Sequence, residues 1–251
     1  MLLVGHGTLP EYREDGDAIE VQVNLGKSIG KLKDNFIIIE IEEDDRNVAY
    51  QIASQELDRF LRHLTLSQEV LFTYTPMIFE SEKGDLHPIP RYVEFSRVTA
   101  YNLERMKENI ELVQGFLYLS DPKLDKSLQY FEQAILLNRE RSRIAPVLSR
   151  NHSRIVSSIF LNLWKALSVV VGDPSVDSDY QKRYKSLGFN YEYFKTKIEW
   201  IRKRRNDYDV AHYSISEQEI GEINENYGKA QRIVIEVLQR YREVLLDSSR
   251  S

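Results

Sequence analysis

The second half of the chain carries apolar residues at helical spacing in one segment after another. From about residue 99 onward, apolar positions recur every three to four residues, which is the pattern of helices that bury one face. Such faces must cover one another, so several in succession predict helices packed side by side in an antiparallel bundle. The five apolar stripes begin at Leu103, Leu124, Val156, Phe194 and Ile220.

The first third of the chain has a different, mixed pattern. Short β-branched segments predict a sheet of about four strands, and residues at helical spacing after an acidic cluster predict one helix, capped by Asp44 or Asp45. The predicted strands are Ala18–Val23, Phe36–Glu42, Val70–Thr75 and Arg91–Val98. The predicted helix is Arg46–Leu64, and Glu80–Pro90 has the composition of a turn-rich loop.

Together these patterns predict an α+β protein with two domains. We expect a small N-terminal α+β domain over residues 1–98 and a connecting helix over 99–120. An all-α antiparallel helical bundle is expected over 121–251, beginning where Ser120–Pro122 breaks and caps the chain. Within the bundle, Gly172–Asn190 is expected to be a loop with a short helical turn.

Composition narrows the class of protein. The 251 residues are 42% hydrophobic and 29% charged, which is typical of a soluble globular protein. No apolar run approaches 18 residues and the start lacks the basic region of a signal peptide, so we expect no membrane association and a cytoplasmic location. Cysteine is absent, which excludes disulfides, thiolate metal sites and cysteine nucleophiles.

The net charge of −5 conceals an asymmetry along the chain. Residues 1–110 carry 12 Lys/Arg against 20 Asp/Glu, whereas residues 139–205 carry 15 against 6. A basic block in an acidic protein favours an anionic partner such as RNA, although helices also carry solvated cations with no function.

The sequence RKRRNDYDVAHYS, from Arg202 to Ser214, extends the fourth stripe with polar residues. At the spacing of Phe194, Ile198 and Ile201, the next position is Arg205. Asp209 and His212 follow at the same spacing if the helix continues, so an inward face that was apolar becomes charged. Charges on such a face are costly unless they are paired or meet a ligand. Mutual pairing within one helix is the simpler explanation, and a binding site is the alternative.

The arrangement resembles the HEPN family, the higher eukaryote and prokaryote nucleotide-binding helical domains. The family mark is an arginine, usually followed by a polar residue, and a histidine after four to six intervening positions, late in a helical bundle. Here Arg205, Asn206 and His212 match it, and Ser127–Leu137 and Ile159–Asp173 are similar to the first two family helices. The resemblance covers about residues 121–246 and does not reach the N-terminal domain.

The resemblance implies a metal-independent endoribonuclease that needs no cofactor. Arg205, His212 and Asn206 would be the catalytic residues, with Asp209 and Tyr213 as auxiliary residues. Asp209 would either orient His212 or neutralise Arg205. Arg202, Lys203 and Arg204 would bind the RNA backbone.

The resemblance also implies partners. Two helical domains would form a homodimer that brings both sites together, with RNA as substrate and an antitoxin or regulatory protein as a further partner in defence, stress response or a toxin–antitoxin pair. The alternative is a non-catalytic module in which the same residues support dimerisation or bind a nucleotide or partner protein. No metal site is expected, because none of the five histidines has a histidine or carboxylate at ligand spacing.

Overall fold

The chain forms two compact units, Met1–Ser120 and Asp121–Ser251. The structure is a computed structural model, and all structural statements below concern the residues that it describes. The described residues are 2–7, 20–33, 36–43, 45–68, 74–80, 86–88, 113–114, 116–117, 121–143, 150–172, 177–210 and 217–250.

The N-terminal unit is built on an antiparallel sheet crossed by one long helix. Its six described strands have the order β2-β3-β4-β1-β5-β6, so β1 lies between β4 and β5. The strands are β1 (Leu2–Gly7), β2 (Glu20–Asn24), β3 (Ser28–Lys33), β4 (Phe36–Ile41), β5 (Tyr74–Glu80) and β6 (Leu86–Pro88), and helix α1 (Arg46–Gln68) connects β4 to β5.

Helix α1 packs on the hydrophobic core of this unit and binds the turn of the β2–β3 hairpin. Its buried face packs with residues of β2 and β4 and with the helical residues Val113 and Leu117. Its Glu56 carboxylate accepts hydrogen bonds from the Lys27 backbone N–H at 2.7 Å and from the Ser28 hydroxyl. These bonds fix the β2–β3 turn, where Gly26 has a φ of 118° that favours glycine.

The sequence predicted the type of this unit but not its strand count. The predicted helix and the strands at Ala18–Val23 and Phe36–Glu42 are confirmed with small shifts, and Asp45 caps α1 through Asn47 and Val48. The expectation of about four strands was wrong, because β1 and β3 were not predicted and β6 lies inside the expected loop Glu80–Pro90. The third predicted strand, Val70–Thr75, overlaps β5 at Tyr74 and Thr75, and residues 70–73 lie outside the described residues. The segment 91–98 lies outside the described residues.

The C-terminal unit consists of helices, as the stripes predicted. They are α2 (Pro122–Arg143), α3 (Arg150–Val171), α4 (Asp177–Ser186) and α6 (Glu217–Arg250). Between α4 and α6, three consecutive segments form one helix that we call α5: Tyr191–Tyr193, a π-helical turn over Phe194–Ile198, and Glu199–Val210. The expected loop Gly172–Asn190 therefore holds a ten-residue helix rather than a single turn.

Helix α3 is the central element of the helical unit, packing against α2, α4, α5 and α6. Its window Arg154–Val171 is long and apolar enough to cross a membrane by length and composition, and half of that window is buried inside the fold. A core helix has this composition for the same reason, namely that neighbouring helices cover several of its faces. Its C-terminus is closed by Arg183, which donates to the Val171 carbonyl at 2.8 Å.

The start of α2 is a capped helix terminus. The Asp121 carboxylate accepts a hydrogen bond from the Leu124 N–H at 2.7 Å, and Pro122 occupies the first helical position, as the sequence predicted. The same carboxylate lies 3.5 Å from the Tyr241 hydroxyl of α6. Asp121 thus both caps α2 and joins it to the far end of α6.

We expect Asp121→Ala to lower the stability of the helical unit by about 1 kcal/mol, because the Leu124 N–H loses its acceptor. Asp121→Asn is the matched control, since an asparagine oxygen caps nearly as well. Thermal unfolding followed by tryptophan fluorescence reports on this unit, because Trp164 and Trp200 both belong to it. Equal losses in the two variants would contradict the capping role.

Candidate functional site

Helix α5 carries an apolar stripe that ends in an arginine. Phe194, Ile198 and Ile201 are fully buried, and Arg205, one turn later, is half-buried. The π-helical turn adds a residue to its hydrogen-bonded ring, seen in the bond from the Glu199 N–H to the Phe194 carbonyl. The helix is described as far as Val210, so Arg205 lies within it.

The positive charge of the Arg205 guanidinium is only weakly offset by neighbouring groups. Its Nη1 donates to the Asn206 side-chain oxygen at 3.0 Å, and its Nε is shielded from solvent without a hydrogen-bond partner among the described residues. No described carboxylate forms an ion pair with it. Asn206 therefore contacts Arg205 but carries no charge of its own. The positive charge of Arg205 is left without an opposite charge beside it.

The other three cations of the cluster are distributed around α5. Arg202 and Lys203 are exposed. Arg204 pairs with Asp207 at 3.5 Å and has its guanidinium 5.8 Å from the centroid of the Trp200 ring, both within α5. Arg202 and Lys203 are thus open to solvent, whereas Arg204 takes part in packing.

Contacts between α5 and α6 fix how the two helices pair. The Tyr193 hydroxyl donates to Glu236 at 2.9 Å, and Lys197 reaches the same carboxylate at 3.2 Å. Seven residues beyond Tyr193, Trp200 has Lys229 over its ring at 4.1 Å. The helices are therefore antiparallel, and continuing the pairing by five residues places Arg205 level with residue 224 of α6.

A second arginine lies at that level, on α2. Arg141 is only 6% exposed, and its Nε and Nη2 donate to Asn138 at 3.1 and 2.9 Å. Its Nη2 also donates to the side-chain oxygen of Asn224 on α6. Burial lowers the pKa of the Arg141 guanidinium and raises the pKa of the nearby Tyr227 hydroxyl. Each partially offsets the burial effect on the other.

Contacts between α2 and α6 place both arginines at one end of the unit. Asp121, at the start of α2, meets Tyr241 late in α6, whereas Arg141, near the end of α2, meets Asn224 early in α6. Helix α6 is thus antiparallel to α2 as well as to α5. The C-terminal ends of α2 and α5 consequently lie where α6 begins.

The sequence stripe on α2 did not single out Arg141. It ran through Leu124, Leu128, Phe131 and Ile135, whereas the buried face also includes Ser127 and Ala134, and Ile135 is half-buried. Ser127, Ala134 and Arg141 are spaced seven residues apart, which is nearly two turns. Small residues give a weak hydrophobic signal, so only their spacing could have indicated that Arg141 points inward.

Three of the predicted site residues are described only in part or not at all. The backbone at Asp209 is helical, but its side chain is outside what the structure describes. His212 and Tyr213 lie in the segment 211–216, outside the described residues. The proposed partnership of Arg205 with His212, and either role for Asp209, therefore remain predictions.

Comparison with known proteins gives no family assignment: no protein-family model, curated protein or solved structure matches the chain. Within the described ranges, no group of three or more histidine, aspartate or glutamate side chains could hold a metal ion.

We expect Glu236→Ala to destabilise the helical unit by about 0.5–1 kcal/mol, because Tyr193 and Lys197 lose their shared acceptor on α6. Glu225→Ala is the matched control, since Glu225 is an exposed glutamate of the same helix. Urea unfolding followed by tryptophan fluorescence measures both. A larger loss in Glu225→Ala would show that the α5–α6 pairing does not depend on Glu236.

Proposed function

We propose that the helical unit is a HEPN-type, metal-independent endoribonuclease that works as a homodimer. The observation that carries this proposal is Arg205, a half-buried cation on an otherwise apolar face, without a carboxylate among the described residues. Its sequence match to the family mark, together with His212, gives that charge a chemical use. An RNA phosphate is the kind of counter-ion that such an arginine binds.

The reaction needs few groups because RNA carries its own nucleophile. The 2′-hydroxyl attacks the adjacent phosphorus, and the bond to the 5′-oxygen of the next nucleotide breaks. His212 takes the proton from the 2′-hydroxyl or supplies one to the leaving oxygen, since imidazole titrates near neutral pH. Arg205 stabilises the charge that develops on the phosphate oxygens. The products are a 2′,3′-cyclic phosphate and a 5′-hydroxyl.

The remaining residues have supporting roles in this proposal. Arg202 and Lys203 are exposed beside Arg205 and would hold neighbouring phosphates, so binding should weaken as salt rises. Arg204 is engaged with Asp207 and Trp200 and would contribute less. Asn206 would keep the Arg205 guanidinium in place, given their hydrogen bond. The N-terminal unit would regulate the enzyme or select its substrate.

Cleavage of RNA in the presence of EDTA tests this function. We expect wild-type protein to cleave single-stranded RNA without a metal ion. His212→Ala should reduce the rate by about 10²–10⁴-fold, and Arg205→Ala by about 10²–10³-fold. Lys123→Ala is a control, because Lys123 is an exposed cation near the other end of α2. Gel electrophoresis gives the rates, and treatment of the products with phosphatase distinguishes a cyclic from a terminal phosphate.

Intact RNA at every concentration of folded wild-type protein would contradict catalysis. If Arg205→Ala and His212→Ala then changed the oligomeric state, the non-catalytic module would be the better account. Equal cleavage by wild type and both variants would instead point to a contaminating nuclease.

The dimer follows from the same charged face. Two copies related by a two-fold axis would turn an expensive inward charge into the lining of a shared groove. Light scattering at micromolar concentration should therefore give twice the 29.5 kDa mass of the chain. A monomer under these conditions would contradict the shared site, whereas Lys123→Ala should leave the mass unchanged.

A further inference from the structure

We infer that Arg141 and Arg205 form an interior phosphate-binding subsite at the end of the helical unit where α2 and α5 end and α6 begins. The role of Arg205 in this subsite rests on the proposed function. The role of Arg141 rests on its own contacts and was not indicated by the sequence motif. The ligand is a phosphate group, carried by an RNA strand or by a free nucleotide.

The pairing of cations in this unit is the reverse of what burial alone would favour. Several exposed or partly exposed cations on α5 and α6 have carboxylate partners, whereas the two most inward arginines at this end have none among the described residues. The exposed pairs are Lys195–Glu199 at 3.7 Å, Lys197–Glu236 at 3.2 Å and Arg240–Glu243 at 2.8 Å. A buried charge has more need of a counter-ion than an exposed one, so an external anion is the missing partner.

The contacts of Arg141 orient its charge without neutralising it. Asn138 and Asn224 each offer an amide oxygen, which accepts a hydrogen bond but carries no net charge. The guanidinium stays protonated in spite of its lowered pKa, since arginine is effectively always charged in proteins. The amides thus hold a positive fork in a fixed direction, and Nη1 has no acceptor among the described residues.

The registers of α6 bring the two arginines to one level. Arg141 contacts Asn224 directly, and Arg205 lies five residues beyond Trp200, or about 7.5 Å along α5. Lys229, which covers the Trp200 ring, lies five residues after Asn224 in the sequence of the antiparallel helix, so five residues forward on α5 correspond to five residues back on α6. Arg141 is buried and the Arg205 Nε is shielded from solvent, so each arginine extends the buried face of its own helix.

Phosphate is the anion that suits this arrangement. Its oxygens can accept paired hydrogen bonds from two planar guanidinium groups, which gives charge compensation and a defined orientation. Arg202 lies three residues before Arg205 on α5 and is exposed, so a strand bound at Arg205 has a further cation on the same side of the helix. The surroundings therefore favour a phosphate of a longer strand over an isolated ion.

The test uses an oligonucleotide that cannot be cleaved. A short fluorescein-labelled 2′-O-methyl RNA lacks the nucleophile, so fluorescence anisotropy with the full chain measures binding alone. We expect Arg141→Gln to weaken binding about tenfold and to reduce the salt slope by about 0.7, the value for one phosphate contact. Lys123→Gln should bind as wild type, because Lys123 lies at the opposite end of α2.

Asn224→Asp separates a binding role from a structural one. The substitution places a carboxylate against the Arg141 guanidinium without changing the shape of the side chain. We expect it to raise the melting temperature and to weaken oligonucleotide binding, because the charge now has an internal partner. This variant also keeps the inference testable if Arg141→Gln does not fold.

Two further comparisons identify the ligand and show which results would contradict the inference. If inorganic pyrophosphate raises the melting temperature of wild type but not of Asn224→Asp, while the oligonucleotide binds both equally, the source is a free phosphate compound. Wild-type binding of both ligands by folded Asn224→Asp and Arg141→Gln would overturn the inference, as would failure of the wild-type chain to bind either ligand. A chain that shows the expected binding differences but leaves unmodified RNA intact would contradict the nuclease proposal alone.

Discussion

The antiparallel alignment of α6 with both α2 and α5, set by side-chain contacts, is the constraint on which the candidate site depends. Tyr241 meets Asp121 near one end, and Asn224 meets Arg141 near the other. Along α5, the contacts of Glu236 and Lys229 fix the register in the same direction. Residues that are about 60 positions apart in the sequence, Arg141 and Arg205, reach one end of the unit because the same helix pairs with both of their helices.

In the candidate site, the buried faces of α2 and α5 each continue into an arginine. On α5, three buried apolar side chains precede Arg205, and on α2 the buried face passes through Ser127 and Ala134 before Arg141. The apolar part supplies the free energy that holds the helices together. A well-packed base then keeps the arginines in place, so that, in the proposed subsite, they would bind a phosphate without first being ordered by it.

The sequence predicted the helices of the C-terminal unit and singled out Arg205, but not Arg141. Long stripes such as Phe194, Ile198 and Ile201 were readable because large apolar residues recur at a fixed spacing. Arg141 was not, because its register neighbours are small and its partner Asn224 is distant in the chain. The strands β1 and β3 were missed for a related reason: β1 ends in Gly5–Gly7 and β3 mixes lysines with apolar residues, so neither has a strong strand pattern. The position of Arg141 and the formation of β1 and β3 depend on contacts between elements distant in the chain. A local sequence pattern does not contain such contacts.

In the proposed homodimer, the charge at the end of the unit would link dimer formation to ligand binding. Two copies that met through this end would bring their Arg141 and Arg205 side chains together, and like charges in a partly buried setting repel. A polyanion in the shared groove would offset that repulsion in proportion to the phosphates it contributes. Because binding equilibria are reciprocal, an RNA strand that favoured the proposed dimer would also bind the dimer more tightly than the monomer. In the proposed function, the uncompensated arginines would then act both as the ligand site and as the reason why the ligand further stabilises the dimer.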